Sequence, residues 1–118
     1  TVRAFAIESA RTCFDMKCSD VVVLDVKGLS QICDYIVVAS GTSERQMKSV
    51  AQGLEDMGKE MDNRHYRSNR DTGNTWVVVD FVETVVHIFE PEQRMYYDIE
   101  SLWQNGSHVD WAREEPEG

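Results

Sequence analysis

Trp76, Asp80 and His87 interrupt the mostly apolar stretch TWVVVDFVETVVHIF, residues 75–89, at strand-like spacing. An indole N–H only donates a hydrogen bond, a carboxylate only accepts, and an imidazole does either. The stretch reads as two strands closing around Val82-Glu83. Asp80 then opposes Val85, Val78 opposes His87 and Trp76 opposes Phe89, and directly opposed side chains share a face. One face becomes Val77, Val79, Phe81, Thr84, Val86 and Ile88, suited to burial beneath helices. The other becomes Trp76, Val78, Asp80, Val85, His87 and Phe89, where large aromatics accompany two polar groups. Such a mixture suits a recognition patch. It equally suits a covered face on which Asp80 and His87 satisfy one another diagonally. Tight hairpins prefer Gly or Asn where Val82 and Glu83 stand, so a slip of one residue would exchange the faces of one strand.

Other residues suggest catalysis and fall short of it. Gly41-Thr42-Ser43 before a helix resembles a phosphate-binding turn, but neither G-x-x-x-x-G-K-[ST] nor G-x-G-x-x-G is completed, and Ser43 is explained by helix capping. Two-metal nucleotidyl transfer needs paired carboxylates on a strand after such a turn. Asp98-Ile-Glu100 has the spacing but lies in an expected helix, where i and i+2 diverge. His65, His87 and His108 show no paired metal-ligand spacing. Cys13, Cys18 and Cys33 are an odd set without CxxC, which suits reduced thiols, and a Cys–His nucleophile has no support. No catalytic residue, cofactor or metal ligand is therefore assigned.

These residues need a scaffold. At 118 residues the chain is the size of one domain, and no apolar run approaches the ~20 residues that span a bilayer. Ala6, Ile7, Ala10, Cys13 and Phe14 form the stripe of an amphipathic helix over residues 2–16. DVVVLDV (20–26) and DYIVVAS (34–40) read as strands around a Gly28 turn. Ser43 and Gln46 form a capping box for a helix whose Met47, Val50, Ala51, Leu54 and Met57 repeat until Gly58 offers a C-cap. A short strand around His65–Arg67 and a loop through Asp71–Asn74 precede the hairpin. Pro91 then starts a last helix, with Met95, Ile99, Leu102 and Trp103 along one side. The expected fold is α/β, a mixed sheet with helices mainly on one face and the other face bare. Residues 1–104 form the single domain and 105–118 a loose acidic tail.

The formal net charge is -9. Such a chain repels phosphate backbones and is better placed to grip a basic protein than nucleic acid. Much of the acid is late: Glu90, Glu92, Asp98, Glu100, Asp110, Glu114, Glu115 and Glu117 face only Arg94 and Arg113. Without a signal-like segment the expected location is the cytoplasm, or an organelle if a presequence was trimmed.

Taken together, DVVVLDVKGLSQICDYIVVASGTSERQ, WVVVD and VVHIFEPEQRMYYDIESLW resemble the iojap-related ribosomal silencing factor family, over nearly the whole chain to Trp103. The resemblance implies a nucleotidyltransferase-like fold lacking the catalytic carboxylates. It also implies a binding protein that attaches to the large ribosomal subunit through its basic protein number fourteen and sterically blocks the small subunit. Asp34, Gly41, Ser43, Arg45, Trp76, Asp80, His87, Phe89, Arg94, Tyr97, Glu100, Leu102 and Trp103 stand at signature positions. Of these, Trp76, Asp80, His87 and Phe89, with Tyr97 and Glu100 on the following helix, are the expected partner-binding residues. Leu102 and Trp103 fit better as anchors of that helix. Val82 departs from a usual Gly, and Ser68-Asn69 from a frequent Glu-Gly pair. Other roles open to the same chain are a nucleotidyltransferase-like enzyme or nucleotide sensor, and a large-subunit assembly factor. The mixed face also suits a homodimer when the protein is free.

Overall fold

The computed structural model describes residues 1–63, 67–70, 75–97, 101 and 106–113. Along the chain run α1 (Val2–Asp15), β1 (Ser19–Asp25), β2 (Tyr35–Ser40), α2 (Glu44–Glu60), β3 (Arg67–Arg70), β4 (Trp76–Asp80), β5 (Thr84–Phe89), α3 (Pro91–Tyr97) and β6 (Ser107–His108).

Both long helices begin on side-chain caps. Thr1 accepts from the Ala4 N–H at 3.0 Å, and Ser43 Oγ accepts from the Gln46 N–H at 3.1 Å, each satisfying a donor with no partner inside the helix. Both end alike. Lys17 (φ +78°) and Asp62 (φ +59°) turn left-handed, so Cys18 N–H reaches Cys13 O and Asn63 N–H reaches Gly58 O, at 3.0 and 2.7 Å. Lys17 N–H to Phe14 O and Asp62 N–H to Lys59 O complete two Schellman motifs. Gly58 is thus not the cap expected of it: α2 runs on to Glu60. A Cβ at Gly58 would stand 2.8 Å from Asn63 O and 2.9 Å from Phe81 Cε1, so the position serves close packing.

The six strands lie in the order β3-β4-β5-β2-β1-β6. β2 and β5 pair parallel, across the crossover that contains α2, and every other neighbouring pair is antiparallel. Side chains alternate across the sheet. Val23, Tyr35, Val37, Ala39, Val77, Val79, Val86 and Ile88 therefore join Phe5, Ala6, Ala10, Cys13, Met47, Val50, Ala51 and Leu54 of α1 and α2 in the main core. The opposite face is not bare. Leu24, Val26, Cys33, Ile36, Val38 and Phe89 form a second buried cluster there.

Further differences have local causes. The buried stripe of α1 is Phe5, Ala6, Ser9, Ala10 and Cys13, while Phe14, 55% exposed, stacks on Trp111 at 5.5 Å between centroids. Met95 is 83% exposed; the side of α3 turned to the sheet carries Arg94, which donates to Ser40 Oγ at 2.9 Å and to the Asp20 carbonyl. Ile99, Leu102 and Trp103 lie outside the described residues. The strand expected around His65–Arg67 is described from Arg67 onward, as β3, and His65 itself lies outside the described residues. Nor is the stretch from 106 to 113 a loose tail: β6 pairs with β1, Val109 is buried, and Trp111 Nε1–H donates to Val21 O at 3.0 Å. Arg113 grips both carboxylate oxygens of Asp15. None of the helices among the described residues is long and apolar enough to cross a membrane.

Candidate recognition face

The hairpin has the register read from its sequence, with Trp76 opposite Phe89, Val78 opposite His87 and Asp80 opposite Val85. Its turn is strained to achieve this. Glu83 N–H closes on Phe81 O at 3.0 Å with Val82 at φ +76°, a three-residue γ-turn in a region where a β-branched residue is an outlier. Asp80 Oδ1 steadies the turn by accepting from Val82 N–H at 2.7 Å. The Glu83 carbonyl then receives Asp34 N–H and Tyr35 N–H at 2.8 and 3.0 Å, tying the hairpin to the start of β2.

On the second face the three rings stack. Trp76 and Phe89 lie 5.1 Å apart between centroids, Trp76 and His87 5.9 Å, and His87 and Phe89 6.1 Å, the last pair within 7° of parallel. Trp76 Nε1–H donates to His87 Nδ1 at 3.2 Å. An indole cannot accept, so Nδ1 must carry a lone pair and the proton of the neutral ring sits on Nε2. Burial disfavours the imidazolium and lowers the His87 pKa to about 4, against a small opposing pull from the Asp80 charge. Asp80 and His87 therefore do not satisfy one another: Asp80 serves the turn and Trp76 serves the histidine.

Of the residues expected to bind a partner, Trp76, Asp80 and His87 are half-buried on this face. Phe89 is 0% exposed, so it presents no surface and instead backs the Trp76 ring. Tyr97 is the last residue of α3, and Glu100 lies outside the described residues. Sequence reasoning gave β2 as a strand but not its place beside β5, where the buried Val38 and Ser40 pair with His87 and Phe89. A parallel neighbour reached through a long crossover leaves no local signal.

Three polar groups of the Gly41-Thr42-Ser43 turn are engaged with the protein itself. Gly41 N–H donates to Phe89 O at 2.7 Å, Thr42 N–H to Gln46 Oε1 at 3.0 Å, and Ser43 Oγ caps α2. The cavity beside it is lined by Glu44, Glu90 and Glu92, whose charges oppose a phosphate. Nor does the fold gather the histidines, since β2 and β1 separate His87 on β5 from His108 on β6. Among the described residues no cluster of three or more His, Cys, Asp or Glu could hold a metal ion.

What the fold and this face define is an α/β domain distinguished by a stacked aromatic surface. The chain belongs to a family with that architecture: the pattern described as ribosomal silencing factor during starvation matches residues 1–117. It is 30% identical over 102 residues to ribosomal silencing factor RsfS of Bacillus subtilis, covering 86% of each chain. It superposes on a crystal structure of a Chromobacterium violaceum protein with a TM-score of 0.83 at 31% identity, covering 97% of this chain and 94% of that one. A mouse relative, 32% identical over 87 residues, is called mitochondrial assembly of ribosomal large subunit protein 1; the match covers 71% of this chain and 38% of the mouse protein.

Proposed function

We propose that this protein is a non-catalytic translation inhibitor that docks on the large ribosomal subunit through its basic protein number fourteen and excludes the small subunit by occupying its place. The observation that carries this reading is the Trp76–His87–Phe89 stack. Trp76 and His87 present a half-buried aromatic surface, backed by the buried Phe89 ring and joined by the Trp76–His87 hydrogen bond, so little side-chain freedom remains to be lost on docking. Asp80 at its margin and a net charge of -9 favour a basic partner and speed encounter with it. Tyr97 and Glu100 extend the contact along the chain. In the free protein the same face pairs with a second copy.

Two other roles compare differently. A nucleotide site at Gly41-Thr42-Ser43 is disfavoured because the Gly41 and Thr42 N–H groups are already used. An assembly role is favoured by the name of the mouse relative and would use the same contact.

Co-sedimentation with separated ribosomal subunits tests the reading. Association with large subunits alone, weakened in a folded Trp76→Ala variant, is the expected result; association with neither subunit overturns it. Accumulation of unprocessed large-subunit RNA in a strain lacking the protein would favour assembly over silencing.

A further inference from the structure

The left-handed turn at Lys17 has a chemical consequence of its own. In a Schellman motif the side chains three positions before the cap and two after it come together, and the pair is ordinarily apolar. Here those positions are Cys13 and Cys18, joined through the backbone by Cys18 N–H to Cys13 O at 3.0 Å. The turn sets the two thiols near enough for each to shift the other's titration. Gln46 Nε2 donates to Cys18 Sγ at 3.5 Å and to Met16 O at 2.9 Å, so the pair also lies against the first turn of α2. Cys33 is elsewhere, in the buried cluster on the opposite face of the sheet.

The two sulfurs are not equivalent. The neighbouring Cys13 thiol and the Gln46 amide both favour the Cys18 thiolate and lower its pKa. Cys18 beside it and complete burial raise the pKa of Cys13. Cys18 is 5% exposed and follows the exposed Lys17, whereas Cys13 is 0% exposed. One thiol is thus placed to react first and the other to complete the reaction.

We propose that Cys13 and Cys18 form a dithiol modification site, converted to an intramolecular disulfide by a small disulfide oxidant such as oxidised glutathione. The Cys18 thiolate attacks one sulfur of the oxidant, forming a mixed disulfide and releasing one thiolate. Cys13 then loses its proton and attacks the Cys18 sulfur, breaking the mixed bond and releasing the second thiolate. The protein loses two protons and two electrons; the oxidant gains them as two thiols.

The test treats the full chain with oxidised glutathione over a range of glutathione redox ratios, quenches with acid, alkylates and maps tryptic peptides by mass. The expected product lacks two hydrogen masses and joins peptides 12–17 and 18–27 through a disulfide, with Cys33 alkylated. A Cys13→Ala variant should stop at a glutathione adduct on Cys18. Cys13 and Cys18 recovered fully alkylated from the folded wild type, or a first adduct on Cys33, overturns the proposal. Because the wild type alone decides the outcome, it stands whether or not the variant folds.

Discussion

Trp76 gives its one hydrogen to Nδ1 of His87, and that direction is incompatible with a doubly protonated ring. Protonating His87 would break the bond and place a charge in a largely buried site. The folded-state pKa, about 4, lies below the ordinary ~6.5 of an unfolded histidine. The stabilisation is therefore complete above about pH 6.5 and is lost as the pH falls toward 4, because the unfolded chain then binds the proton more tightly. Between pH 7.5 and pH 5 this amounts to about 2 kcal/mol. Urea melts at the two pH values should show that loss in the wild type and a smaller one in His87→Phe; equal losses would refute the assignment.

The same bond separates the two uses of Trp76. Trp76→Ala should weaken binding to large subunits by about 2 kcal/mol, roughly thirtyfold. Trp76→Phe keeps an aromatic ring but leaves Nδ1 without its donor, at about 1 kcal/mol in stability. Affinity and thermal unfolding should be measured on both variants. Unchanged affinity with a sharply lowered melting temperature would make Trp76 a core residue instead.

Val82 is 58% exposed and holds φ +76°, so its side chain adds strain with little packing in return. Val82→Gly should raise stability by about 1 kcal/mol, read as a higher midpoint of chemical unfolding with an unchanged slope. A lower midpoint would show that Val82 makes contacts worth more than the strain.

Gly58 behaves oppositely. Its neighbours are the Asn63 carbonyl, which is part of a helix end, and the Phe81 ring, which stacks edge-on against Phe5 at 4.8 Å. Gly58→Ala, ordinarily favourable within a helix, should here cost about 1 to 3 kcal/mol through overpacking. A calorimetric melting temperature at or above that of the wild type would disprove the close approach.

Much of this was legible where the signal is local. The opposition of Trp76 to Phe89 followed from counting outward from Val82-Glu83, and the Ser43 cap from its distance to Gln46. What escaped was non-local or carried by the backbone. Nothing in Val38 announces that it lies beside His87. Lys17 does not advertise a left-handed turn and Asp62 does so far less than Gly58, so the sequence points to Gly58 as the end of α2 and gives no sign that Cys13 meets Cys18. Ser107-His108 joins the sheet by main-chain bonds, to which a polar, acidic composition gives no clue. At the recognition face, side-chain types suggested a Asp80–His87 pair, but the bulge-free register brought the indole to the imidazole first.

The placement of β6 bears on how the protein is made. β1 acquires β2 as a neighbour soon after both leave the ribosome, but β6 is translated after every other strand. Until then one edge of β1 offers unpaired N–H and C=O groups to any other strand, including that of a second nascent copy. Two residues of strand, anchored by Trp111 on Phe14 and by Arg113 on Asp15, thus act as a late seal. A chain stopped at Gly106 should scatter light at concentrations where the longer one stays clear, so that safe release of the molecule depends on residues far from the candidate recognition face.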